Sequence, residues 1–109
     1  MIPPRVADHC ERFNAAVRAG DFTAFVQTFT DDAVMRFDGV PAGPYRGRDE
    51  IAAAYAQRPP TDTMTIRSVR TEGDTDVVRF VWDAGDGGTM TVRWRDDMVA
   101  DVAVAFEGR

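Results

Sequence analysis

The chain has no lysine and no leucine, and only one cysteine (Cys10), one histidine (His9) and one serine (Ser68). Without lysine there is no Schiff-base nucleophile, which excludes pyridoxal phosphate enzymes and lysine-dependent aldolases. A single cysteine excludes an intrachain disulfide and any cysteine-rich zinc site. A single histidine excludes a multi-histidine metal centre. A nucleophile–histidine–acid triad would have to join His9 to Ser68 or Cys10, and no elbow motif surrounds either. As sequence neighbours, His9 and Cys10 would point about 100° apart on a helix. Basic charge is also scarce: 13 arginines face 18 acidic residues, for a net charge of −5. That balance argues against nucleic acid or an anionic membrane as partner. No apolar run approaches the length of a transmembrane helix, and the N-terminus carries no signal-peptide pattern. A cytoplasmic protein that works without metal or cofactor is the expectation. Carboxylates, tyrosines, tryptophan N–H groups and arginines remain for chemistry.

What is present describes a globular chain. With 44% hydrophobic and 28% charged residues over 109 positions, residues 1–109 are read as one domain with a single modest core. Pro3 and Pro4 sit where a helix begins, since a missing N–H costs nothing in the first turn. Val6, Cys10, Phe13 and Val17 then recur at helical spacing. Gly20 stops this helix and Asp21 is placed to cap the next, whose apolar face is Phe22, Phe25, Val26 and Phe29. Ala33 to Asp38 reads as a short strand, and Gly39-Val-Pro-Ala-Gly-Pro as a loop. A third helix is expected from Arg48 to Gln57, with Asp49 and Glu50 near its positive end and Pro59-Pro60 beyond it.

After Pro60 the pattern turns to strands: Thr63 to Thr71, Asp76 to Ala84, Thr89 to Arg95 and Met98 to Phe106, separated by turn-forming segments. Helices first and a meander afterwards imply an α+β fold. Strict alternation puts Met64, Ile66, Val78, Phe80, Trp82, Met90, Val92, Trp94, Val102, Val104 and Phe106 on the helix-facing side. The opposite side is polar but carries Val69, Val81 and Ala103. A homodimer through that face, around Val69, Val81, Arg93 and Ala103, is the expectation.

Three motifs point to a family. Ala19-Gly-Asp-Phe, Thr30-Asp-Asp-Ala-Val and Tyr45-Arg-Gly-Arg-Asp-Glu-Ile-Ala-Ala-Ala-Tyr55 resemble the SnoaL-like and ketosteroid-isomerase-like branch of the nuclear transport factor 2-like superfamily. The resemblance implies a cone: three helices packed in a strongly curved antiparallel sheet around a small-molecule pocket. Similar chains include ketosteroid isomerases, polyketide cyclases, limonene-type epoxide hydrolases, dehydratases and proteins without a known reaction, so the motifs specify fold better than function. The isomerase pattern asks for an oxyanion-donating tyrosine on the first helix, a position that falls on Phe13. It asks for a neutral aspartic acid on a late strand, where Met90 stands. Both donors are thus missing, and losing one such donor typically costs about 100- to 1,000-fold in rate.

The general base falls on Phe37 when counted from Asp31-Asp32, and on Asp38 when counted back from Tyr55. One surplus residue separates the two counts. A bulge in the first strand would turn Asp38 inward; a longer loop would leave it outside. Tyr55 matches the family tyrosine that supports the catalytic phenol. The candidate catalytic residues are therefore Asp38 as base and Tyr55 as donor. Phe13, Phe37, Trp82, Met90, Trp94 and Phe106 are the candidate ligand-binding residues. His9 reads as structural and Cys10 as a small buried hydrophobe. Two functions stand side by side. One is a site for a small apolar molecule, with cofactor-free proton transfer of the isomerase or cyclase type on a carbonyl compound. The other is a non-catalytic binding or dimerisation module whose cone is filled by its own aromatics.

Overall fold

Proline places the first helix. In the computed structural model, which describes residues 2–107, Pro4 opens α1 (Pro4–Ala19) and Gly20, at φ +67°, closes it. Val6, His9, Cys10, Phe13 and Ala16 form its buried face. The next helix is much shorter than its apolar residues suggest. Helix α2 is a single turn, Thr23–Val26, and Phe29 already belongs to strand β1 (Phe29–Asp38). Asp21 accepts a hydrogen bond from the Thr23 N–H at 3.0 Å, so it shapes the turn into α2. The Asp31-Asp32 pair lies within β1. There Arg95 and the Thr30 hydroxyl donate to Asp32, at 2.5 and 2.9 Å.

A two-residue strand, β2 (Tyr45–Arg46), follows the glycine–proline loop and leads directly into α3 (Gly47–Gln57). The Glu50 carboxylate accepts from the Arg46 N–H at 2.8 Å, holding the start of α3. Arg48 fastens this helix to the start of β1, donating to the Phe29 carbonyl at 2.9 Å and pairing with Asp31 at 2.9 Å. The remaining strands are β3 (Met64–Glu72), β4 (Thr75–Trp82), β5 (Gly87–Arg95) and β6 (Met98–Phe106). Together they form one six-stranded sheet in the order β2-β1-β6-β5-β4-β3. Its pairs are antiparallel except β1 with β6, which run parallel. Pairing the first long strand with the last makes one continuous curved sheet, and the helices pack on one of its faces. Asn14 binds α1 to β3 by a reciprocal pair, Nδ2 to the Met64 carbonyl at 3.0 Å and Met64 N–H to Oδ1 at 2.9 Å.

One face assignment made by strict alternation is overturned. The β3–β4 register shifts between Ile66 and Ser68, so a bulge at Arg67 adds a residue to β3. Beyond it Val69 pairs with Val78, which is fully buried, and packs against the core. Two residues facing one partner reset the alternation, so Val69 belongs to the inner face rather than the outer. A second shift, between Arg93 and Trp94, leaves Ala100 as the extra residue of β6. Close approach explains Gly87: a Cβ there would lie 2.1 Å from the Phe80 carbonyl oxygen.

The narrow end of the cone holds a polar group that alternation does not mark. Asp76 is fully buried. Its carboxylate takes hydrogen bonds from Arg5 Nε at 2.7 Å, Thr71 Oγ1 at 2.5 Å and Trp94 Nε1 at 2.9 Å. Burial alone would raise its pKa, but these donors hold the carboxyl below the usual range. The Arg5 guanidinium also lies 5.5 Å over the Trp94 ring.

Candidate functional site

Between the helices and the sheet lies a cavity of about 320 Å³. Its walls follow from the alternation of the strands. Strand β1 turns Met35 and Phe37 inward, β4 Phe80 and Trp82, β5 Met90, and β6 Val102, Val104 and Phe106. From the helices come His9 and Phe13 on α1, Phe25 on α2, and Ala54 and Tyr55 on α3. The inner end is sealed by His9, Phe25 and Phe29, all buried. The outer end is ringed by Val40 and Phe106, respectively 40% and 44% exposed, with Phe37, Tyr45, Arg58 and Pro60 beside them. Phe37 and Phe106 stack at this mouth, 6.0 Å apart and nearly coplanar, with Tyr45 edge-on to Phe37. The lining is overwhelmingly apolar, so it favours apolar ligand surface and disfavours any charge carried inward.

The candidate residues divide in this geometry. Phe13, Phe37, Trp82, Met90 and Phe106 border the cavity, as does Tyr55. Trp94 does not: its ring is buried at the narrow end, edge-on to His9 and donating to Asp76. Asp38 is also elsewhere. It is exposed at the end of β1, where Phe37 takes the inward position and Asp38 the outward one. Its register partner is Ala105, while Phe37 is opposite Val104. The β1–β6 register shifts only between Phe29 and Val34 and is regular from Val34 to Asp38, so no bulge beside Asp38 turns the carboxylate inward. Asp38 is not among the residues that line the cavity. Arg48 is committed to β1 and stands away from the mouth.

Tyr55 has a defined setting. Its ring stacks on Phe22 with centroids 4.7 Å apart and a 3° interplanar angle, and meets Phe25 edge-on at 5.7 Å. Among the described residues its hydroxyl has no hydrogen-bond partner. Burial pushes the phenol pKa well above the usual tyrosine range, so the group stays neutral. His9 is another polar group on the wall, its pKa lowered to about 4 mainly by burial and then by the Arg12 charge. Sequence reasoning passed over His9, Met35, Tyr45 and Phe80 as lining residues. Met35 and Phe80 share the inward phase of Phe37 and Trp82 and were legible there; Tyr45 sits after an irregular loop that gives no phase. Among the described residues no cluster of three His, Cys, Asp or Glu side chains is arranged to hold a metal ion. No helix among them is long and apolar enough to cross a membrane.

Comparison with known proteins agrees with this architecture. No curated protein matches the sequence. The solved structure of a SnoaL-like protein of unknown function from Burkholderia thailandensis superposes with a TM-score of 0.78, at 15% identity over 98% of both chains. A nuclear transport factor 2-like protein of unknown function from Burkholderia xenovorans gives 0.73, at 18% identity over 96% of this chain and 84% of that one. A protein from Bacillus subtilis described as a candidate isomerase gives 0.78, at 15% identity over 94% of this chain and 86% of the other. At such identities the likeness speaks for the fold alone. The model of the SnoaL-like domain matches residues 10–106, and with the cone and its cavity in place the chain belongs to the SnoaL-like domain family.

Proposed function

We propose that this chain binds a small, uncharged apolar molecule inside the cone. One observation carries the reading: a cavity of about 320 Å³, walled by aromatic and aliphatic side chains and open at one end. That volume lies at the lower end of the range typical of ligand pockets, about 300–1,000 Å³. The competing picture of a cone filled by its own aromatics is less favoured, since Phe13, Phe80, Trp82 and Met90 border the space without occupying it.

The support for proton-transfer chemistry on a carbonyl compound is thinner. Phe13 and Met90 stand on the wall where the isomerase pattern has its donors, and neither offers an O–H. With Asp38 facing outward, Tyr55 is the one residue of the proposed catalytic pair that a bound molecule could meet. Binding is thus the function the geometry favours, and a role for Tyr55 is as hydrogen-bond donor to the ligand.

Naphthalene is a suitable neutral probe. It should raise the unfolding temperature of the wild type, with saturable binding by calorimetry. Ala54→Phe, which projects a ring from α3 into the cavity, should weaken that binding at least about tenfold while the protein stays folded. Naphthalene binding that is absent, or indifferent to Ala54→Phe, would refute the proposed site.

A further inference from the structure

His9 stands in an aromatic cluster on the wall of the cavity. Its side chain is 7% exposed and sits among rings: Phe25 at 5.1 Å, Phe29 at 6.2 Å, and Trp94 edge-on at 5.9 Å. Among the described residues no other group hydrogen-bonds to His9, and since no buried side-chain nitrogen there lacks a partner, its ring nitrogens reach accessible space. The nearest candidate, the indole N–H of Trp94, is already given to Asp76.

The ring also has two open sides. It borders the inner end of the cavity, and it borders a surface groove lined by Arg5, Asp8, Arg12, Asp96 and Asp97. Being neutral near pH 7, it carries one N–H donor and one bare nitrogen acceptor. Tyr55 supplies a second neutral polar group, its hydroxyl, further along the wall. Among the described residues no charged side chain lines the cavity except Arg58, which is exposed at the mouth. A ligand carrying a carboxylate or an ammonium inward would lose its hydration with no counter-charge to replace it. A neutral hydroxyl would lose far less, and would find an acceptor.

We propose that His9 is the polar recognition group of this cavity, and that the ligand is a neutral apolar compound bearing a hydroxyl group that donates a hydrogen bond to the imidazole. The inference rests on the ligand-binding reading above and specifies the ligand class for the same site. It makes His9 a binding residue, with Tyr55 available to a second oxygen of the ligand.

Because His9 is the chain's only histidine, ¹⁵N-histidine labelling gives a single imidazole reporter with no assignment problem. The test compares 2-naphthol, 2-methoxynaphthalene and naphthalene at pH 7.5. Wild type should bind 2-naphthol at least about fivefold more tightly than the other two, the worth of one hydrogen bond. Only 2-naphthol should move the resonance of the unprotonated imidazole nitrogen. His9→Phe should still bind naphthalene, with the preference for 2-naphthol lost or reversed. A preference for 2-naphthol that survives in His9→Phe, or imidazole spectra alike for 2-naphthol and naphthalene, would overturn the inference. The wild-type spectra decide the matter even if His9→Phe does not fold. If naphthalene binds and 2-naphthol does not, this inference falls and the binding site stands; if neither binds, both fall.

Discussion

His9 and Asp76, two buried polar residues on either side of the Trp94 indole, are handled very differently. Asp76 is charged and meets three donors, Arg5, Thr71 and Trp94, so its ionised form is held by the fold. His9 is kept neutral chiefly by burial, which strips its charged form of water, and then by the Arg12 charge, so its pKa falls from 6.5 to about 4. The charged groups around the imidazole are Arg5, Asp8 and Arg12 on α1 and Asp96 and Asp97 in the turn before β6, with Asp76 behind Trp94. The sign of the linkage follows directly. The unfolded chain binds a proton at His9 below pH 6.5 and the folded one only below about 4, so stability is full above 6.5 and declines as pH falls through that window. The decline attributable to this group is at most about 3 kcal/mol. In urea unfolding, the midpoint of wild type should fall between pH 6.5 and 4, and His9→Phe should fall distinctly less over the same interval. Parallel curves for the two proteins would mean that another group sets the acid limb.

At the scale of the element, the bulge at Arg67 decides which side of β3 is core. With it, Val69 faces Val78 across the ladder and Ser68 faces outward opposite Arg79. Val69→Asp should therefore destabilise by about 1–3 kcal/mol, whereas Ser68→Asp should stay within about 0.5 kcal/mol. Equal effects in denaturant unfolding would return Val69 to the outer face. The same strand shows what could be read in advance. Residue type and period placed β3 to within a residue of Met64–Glu72, because alternation is local information. A bulge is not local: Arg67 is extra only relative to β4, and no composition marks it. Likewise Phe22, Phe25, Val26 and Phe29 fit a helical stripe, yet the chain leaves α2 after one turn because Phe29 pairs in register with Val99 on β6. The site divides along the same line. Phe13, Phe37, Trp82, Met90 and Phe106 were legible because each lies in phase on a regular element. Asp38 was ambiguous by one residue, a difference settled only by its register against β6, which leaves Phe37 inward and Asp38 outward. His9 was passed over because a lone helical histidine gives no sign of whether its partners exist.

For the molecule as a whole, the helices cover only one face of the sheet. On the other, Val77 and Val81 of β4 and Ala103 and Ala105 of β6 lie half-buried among polar neighbours. The Arg36–Asp101 pair at 2.7 Å, with Arg79, Thr91 and Arg93 around it, breaks this surface into small apolar and charged areas. Such a face suits a two-fold pairing, in which each apolar strip meets its own copy and the flanking charges meet opposite ones. We propose a homodimer through it, now centred on Val77, Val81 and Ala103, since Val69 belongs to the interior. The arrangement leaves both cavity mouths free, because Val40, Arg58 and Phe106 ring the end of the cone and not its back. Assembly and ligand binding should then be separable. Sedimentation should give a dimer at micromolar concentration, and Val81→Arg, which places four like charges near the axis with Arg79 and its symmetry copy, should give a folded monomer that binds naphthalene as wild type does. A wild type that sediments as a monomer, or a Val81→Arg protein that remains a dimer, would remove the outer face as the interface. A Val81→Arg monomer that had lost naphthalene binding would instead tie the cavity to the dimer, against the separation argued here.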